Sequence, residues 1–166
     1  MPSSDVASEL AASLGQTLPA TYAAFLDGLP LRPTLGERYS PILDFVGRRW
    51  RPFDRKRLAE SMPCRKREIP VPYAHQIAKV AADMRVEDTE CDGAITAELS
   101  EKGFSIDRLA RGFCVGDDGN GEPLFVDPET GAVYAFYHDG MDLERWATSL
   151  DELIAGSRDW TGDEEA

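Results

Sequence analysis

The chain has 166 residues, 42% apolar and 29% charged, with a net charge of −12. That length suits one domain with a single sizeable core, and the composition is that of a globular rather than a disordered protein. The charge argues against nucleic acid and anionic membrane as partners and in favour of basic ones, and no apolar run approaches the roughly 20 residues needed to cross a bilayer.

The first sixteen residues, MPSSDVASELAASLGQ, contain two acids and no Lys or Arg. A secretory signal needs a basic start and a continuous apolar stretch, so this opening argues against export by that route. Residues 4–14 read as a short helix capped by Ser4 and stopped by Gly15, with Val6, Leu10 and Leu14 on one face. A second helix follows in LPATYAAFLDG, residues 18–28. Pro19 sits in its first turn, Tyr22, Phe25 and Leu26 form its buried stripe, and Gly28 ends it.

Between residues 29 and 54 four prolines (Pro30, Pro33, Pro41 and Pro52) keep regular structure short, and residues 42–46 are the one candidate strand. The next stretch, 48–68, holds nine basic and three acidic residues. It reads as a solvated surface loop, with a helical turn over 54–61, pairing with the acidic remainder of the chain. The alternative is a nucleic-acid contact in which Arg48, Arg49 and Arg51 meet phosphates and Trp50 and Phe53 stack on bases.

Pro72 opens the longest predicted helix, residues 73–87, in which Tyr73, Ile77, Val80, Ala81 and Met84 share a face. Further helices are expected over 94–102, ended by Gly103, and from a Ser105 cap through Leu109 and Ala110. At Gly112 the period changes. Strands at 113–115, 124–126 and 132–137, joined by GDDGNG and DPETG turns, form an antiparallel meander. Ser149 and Glu152 form a capping-box signature for a last helix ending at Gly156. The expected organisation is one α+β domain over residues 1–158, a central antiparallel sheet flanked by N-terminal, middle and C-terminal helices. A basic, helix-containing middle occupies about 30–110, and an acidic tail follows at 159–166.

GDDGNG is followed by Pro123 and a strand rather than a helix N-terminus, which removes a phosphate-loop reading. Asp118, Asn120 and Glu122 alternate as in a calcium loop, but Pro123 stands where that loop needs glycine. His138 beside Asp139 lacks a nucleophile motif and is expected to be structural. Cys64, Cys91 and Cys114 are odd in number and widely spaced. That argues against a disulfide framework or a tetrahedral metal site, and it fits a reducing cytoplasm, the expected location. No cofactor and no catalytic centre are expected.

Two blocks resemble the SUKH superfamily, which includes yeast cell-wall assembly regulators and bacterial toxin-immunity proteins. LPATYAAFLDG looks like the family's entry helix. GFCVGDDGNGEPLFVDPETGAVYAFYHDG, residues 112–140, is similar to its strand-turn-strand signature, with Gly116, Asp118, Gly119, Gly121, Asp127, Val133, Tyr134 and His138 at the matching positions. The resemblance implies a non-enzymatic binding domain whose motif residues shape the sheet and whose partner is another protein, in bacteria often a toxin with a basic surface. An acidic immunity protein would cover such a surface by charge complementarity. Residues 111–166 hold three basic and fourteen acidic residues. The expected contacts are therefore Asp117, Asp118, Glu122, Asp139, Asp142 and Glu144, with Tyr137 and Trp146 as anchors. A regulatory or scaffold domain of the same fold binding a non-toxin partner is the alternative, and the chain is expected to be a monomer or a weak homodimer.

Overall fold

The computed structural model describes residues 22, 24–26, 42–53, 57–58, 60–62 and 70–159. The helix expected over 4–14, Cys64 and the tail beyond Asp159 lie outside the described residues. Tyr22, Ala24, Phe25 and Leu26 are helical, as the second helix requires.

The candidate strand at 42–46 forms β1, Leu43–Phe45. The basic stretch that follows is not a loop: Arg48–Pro52 forms β2, paired with β1 in the register Leu43–Trp50, Asp44–Arg49 and Phe45–Arg48. Proline density concealed this strand. Pro52 sits at its end, where no ladder N–H is needed, and Trp50, 0% exposed, supplies the burial that holds it.

A turn of 3-10 helix, Tyr73–His75, leads from Pro72 into α1, Gln76–Glu90, which runs three residues past the expected end. Ile77, Ala81 and Met84 are its buried face. Then come α2, Ala94–Glu101, and α3, Ile106–Ala110, the latter capped as expected by Ser105 Oγ accepting the Arg108 N–H at 3.1 Å. No described helix is long and apolar enough to cross a membrane.

The expected strands appear as β3 (Phe113–Asp117), β4 (Pro123–Val126) and β5 (Val133–Tyr137). Two further strands were not read from the sequence, β6 (Asp142–Ala147) and β7 (Ser157–Asp159), the latter following α4 (Leu150–Gly156). β7 includes Asp159, so the domain reaches past the expected boundary at 158. Ser149 Oγ caps α4 through the Glu152 N–H, while the Glu152 carboxylate reaches Thr148 rather than the cap's own N–H.

The seven strands of the described residues form one antiparallel sheet in the order β6-β5-β4-β3-β2-β1-β7. Residues opposite one another share a face, so Cys114, Phe125 and Tyr134 stand together. Their face meets the helices: the Ile77 N–H donates to Cys114 Sγ at 3.2 Å, and the Phe104 ring meets Phe125 and Tyr134 edge-on. Elsewhere Tyr22 packs edge-on against Phe113, Phe25 stacks on Trp50, and the Trp50 indole N–H donates to Ser157 Oγ at 3.0 Å. Helix, sheet and C-terminal strand thus share one core.

The sheet is strongly curled. In a flat sheet β2 and β6, with three strands between them, would lie about 19 Å apart, beyond the reach of an arginine side chain. Yet Arg48 Nη2 of β2 is 3.0 Å from Glu144 Oε2 of β6, and its guanidinium covers the Trp146 ring at 5.1 Å.

Candidate functional site

Antiparallel pairing sets hairpin turns at alternate ends of a sheet. The register that opposes Arg51 to Asp117 and Leu124 to Ala135 therefore brings three turns to the same end: Val46–Gly47, the 118–122 turn and the 138–141 turn. The curl draws them around one rim, and most of the sequence-selected acids collect there.

Within the 118–122 turn the carboxylates first satisfy the backbone. Asp117 Oδ1 accepts from the Gly119 N–H at 2.7 Å, and Asp118 Oδ1 accepts from Asn120 at 2.8 Å and Glu122 at 3.2 Å. Short Asx contacts of this kind let a tight turn form without a helix. Asp117 is half-buried opposite Arg51, and burial raises its pKa against the opposing hydrogen bond from Gly119. The carboxylate of Glu122 lies 2.8 Å from His138 Nδ1, and that hydrogen bond, then the charge behind it, raises the imidazole pKa.

From the other strands of the rim, the Tyr137 hydroxyl donates to Glu144 Oε1 at 3.0 Å and accepts from the Trp146 indole N–H at 3.4 Å. Burial raises the Tyr137 pKa. Asp139 is 96% exposed and Asp142 largely so; among the described residues they make long ion pairs, to His138 at 3.7 Å and to Lys102 at 3.7 Å respectively. The rim is braced from the helical layer. Lys102 Nζ donates to the Met141 carbonyl at 2.7 Å, and Gln76 Nε2 donates to the Gly121 carbonyl at 3.4 Å.

Of the sequence-selected contacts, Asp118, Glu122, Asp139, Asp142 and Glu144 are thus brought together, with Asp117 inward of them and Tyr137 as their support. Trp146 differs from expectation: it is 9% exposed, roofed by Arg48, and serves packing rather than presenting an anchor. Trp50 and Phe53 are buried, so neither can stack on a base. Arg48, a phosphate contact in the alternative reading of the basic stretch, instead meets Glu144 and Trp146 of β6, partners nearly a hundred positions away that no local pattern reveals.

The motif residues divide by position. Gly116 lies where β2 and β3 touch, and a Cβ there would stand 2.3 Å from the Arg51 carbonyl oxygen. Gly119 and Gly121 take positive φ in the turn. Val133 is buried, and Tyr134 stacks on Phe125. Asp127 sits at the opposite end of the sheet, 0% exposed, where Arg108 Nε and Nη2, the Thr130 hydroxyl and the Thr130 and Glu129 N–H groups all donate to its carboxylate. It holds the β4–β5 turn to α3 and is remote from the rim.

Among the described residues, no three His, Cys, Asp or Glu side chains are grouped to hold a metal ion. A polar cleft of about 380 Å³ between α1, α2 and α3 is bridged by the Arg85–Asp107 ion pair. No protein-family model, curated protein or solved structure matches the chain.

Proposed function

We propose that the chain is a non-enzymatic, SUKH-like protein-binding domain of the cytoplasm, an immunity-type protein that neutralises a cognate toxin by covering its basic surface. The observation that carries this reading is the rim: five carboxylates on the 118–122 turn, the 138–141 turn and the first residues of β6, held by the sheet and braced by helices. Rigidly presented charge of one sign speeds encounter and rejects partners of the same sign. The −12 net charge supports the same class of partner. Burial of Trp50 and Phe53, and the engagement of Arg48 with Glu144, weigh against a nucleic-acid contact through the basic stretch.

The test is co-expression with, and binding to, the product of the gene adjacent to its own. Protection and a saturable complex are expected. Asp139→Asn with Asp142→Asn should slow association severalfold, flatten its salt dependence and leave the melting temperature unchanged. Absence of both protection and binding would overturn the reading.

A further inference from the structure

The β1–β2 hairpin closes in two residues, since Phe45 and Arg48 are register partners. In its type I′ form such a turn has positive φ at both central positions, which is why Asn-Gly is its usual sequence. Here the pair is Val46, with φ 53°, and Gly47, with φ 84°. A β-branched residue in the left-handed region is strained, because its Cβ substituents crowd the backbone. Among the described residues two other non-glycine residues share that region, Asp92 and Met141. Aspartate is among the side chains that tolerate it, and Met141 packs against the core. Val46 has neither excuse. It is 79% exposed, so an unfavourable backbone coincides with apolar surface in water, and the fold recovers little from either. Strain that the fold does not recover concentrates at functional positions, and Val46 lies on the acidic rim, two residues from the Arg48–Glu144 pair.

We propose that Val46 is the apolar anchor of this rim, seated on binding in an apolar pocket of the protein partner bordered by lysine or arginine. The assignment rests on the protein-binding reading above and names the contact that reading lacked. The rim's carboxylates supply steering and a polar surround, and Val46 supplies the apolar centre such interfaces need. Arg48, tied to Glu144, does not oppose a basic border.

The experiment uses the full chain and, as probe, the purified and inactivated product of the adjacent gene. Val46→Asn suits the turn and removes the apolar surface; Val46→Thr keeps the branched Cβ and removes only apolarity. Val46→Asn should raise the melting temperature by roughly 2–4 °C and weaken probe binding about tenfold or more. Val46→Thr should weaken binding without the stabilisation. If wild type binds the probe, the Asp139/Asp142 variant binds it more slowly, and Val46→Asn binds as wild type, the anchor is overturned while the protein-binding reading stands. No binding by wild type overturns both. A melting temperature that does not rise in Val46→Asn removes the strain and the proposal with it. Concentration-dependent self-association lost in Val46→Asn would assign the residue to a second copy of the chain and overturn the proposal.

Discussion

Arg108 grips Asp127 with a two-pronged contact, Nε to Oδ1 at 2.8 Å and Nη2 to Oδ2 at 2.5 Å, across nineteen positions of sequence. Burial pushes the carboxyl pKa up, but the hydrogen bonds from Arg108, Thr130 and the Glu129 N–H outweigh it and leave the group at about 2, below its ordinary 3.8. A depressed folded pKa stabilises the fold above the unfolded value and loses that contribution as pH falls. The pair therefore acts fully above about pH 4 and fades towards pH 2, a contribution of about 2 kcal/mol. Asp127→Asn should flatten the loss of stability across that window in denaturant unfolding followed by circular dichroism. Asp127→Ala, which takes away the guanidinium's buried counter-charge and leaves it the Gly103 carbonyl and the more distant Glu129, should cost about 3 kcal/mol at pH 7. An unchanged acid profile in Asp127→Asn would refute the assignment.

Gly116 is required by close approach rather than by an unusual φ. With the Arg51 carbonyl oxygen 2.3 Å from its would-be Cβ and the Trp50 ring 3.0 Å away, Gly116→Ala must part β2 from β3 or shift a fully buried indole. A loss of about 2–3 kcal/mol is expected, read as a lower urea midpoint at unchanged slope. Gly119→Ala at the exposed turn has open space around its Cβ and meets only the backbone penalty. It should cost less.

The Glu122–His138 pair predicts a shift of the opposite sense. His138 has its pKa raised, first by the Glu122 hydrogen bond and then by that carboxylate's charge. A raised folded value means that any stabilisation is present below the ordinary 6.5 and disappears as pH rises through the folded pKa. Glu122→Gln should bring the imidazole titration, followed by NMR of its ring protons, down towards 6.5. A titration that does not move would show that Glu122 leaves His138 alone in solution.

The Tyr22 hydroxyl is buried with no hydrogen-bond partner among the described residues, and burial pushes its pKa well above 10. An unsatisfied buried hydroxyl is a penalty, so Tyr22→Phe should be neutral or stabilising by up to about 1 kcal/mol. The ring contacts with Phe113 and Phe25 need only the aromatic plane. A clear fall in melting temperature would contradict this.

Local chemistry made the helices and the three central strands legible. Ser105 and Ser149 cap where a cap was expected, and the turns between β3, β4 and β5 follow their Asp, Gly and Pro content. What stayed hidden were strands whose pairing partners are remote. β2 reads as a proline-flanked basic run until Trp50 is buried beneath Phe25. β6, with three charged residues and an indole among its six, pairs along β5 from Tyr137–Asp142 to Val133–Ala147. β7 is three residues long and exists because β1 offers it an edge: Asp44, 7% exposed, takes the Arg158 guanidinium at 3.2 Å. None of these strands has a local period strong enough to declare itself.

The sequence alone determined the α+β class, the antiparallel meander around GFCVGDDGNGEPLFVDPETGAVYAFYHDG, and an acidic surface. Each of these rests on interactions between near neighbours or on a sum over residues. Only the tertiary structure decided which acids stand together and which side chains are spent inside. The curl that joins Arg48 to Glu144 and Trp146, and the burial that commits Asp127 to Arg108, depend on contacts between residues far apart in the chain. Val46 shows the same division within one residue. Its identity is plain in the sequence, but its strain exists only because Phe45 and Arg48 pair across it.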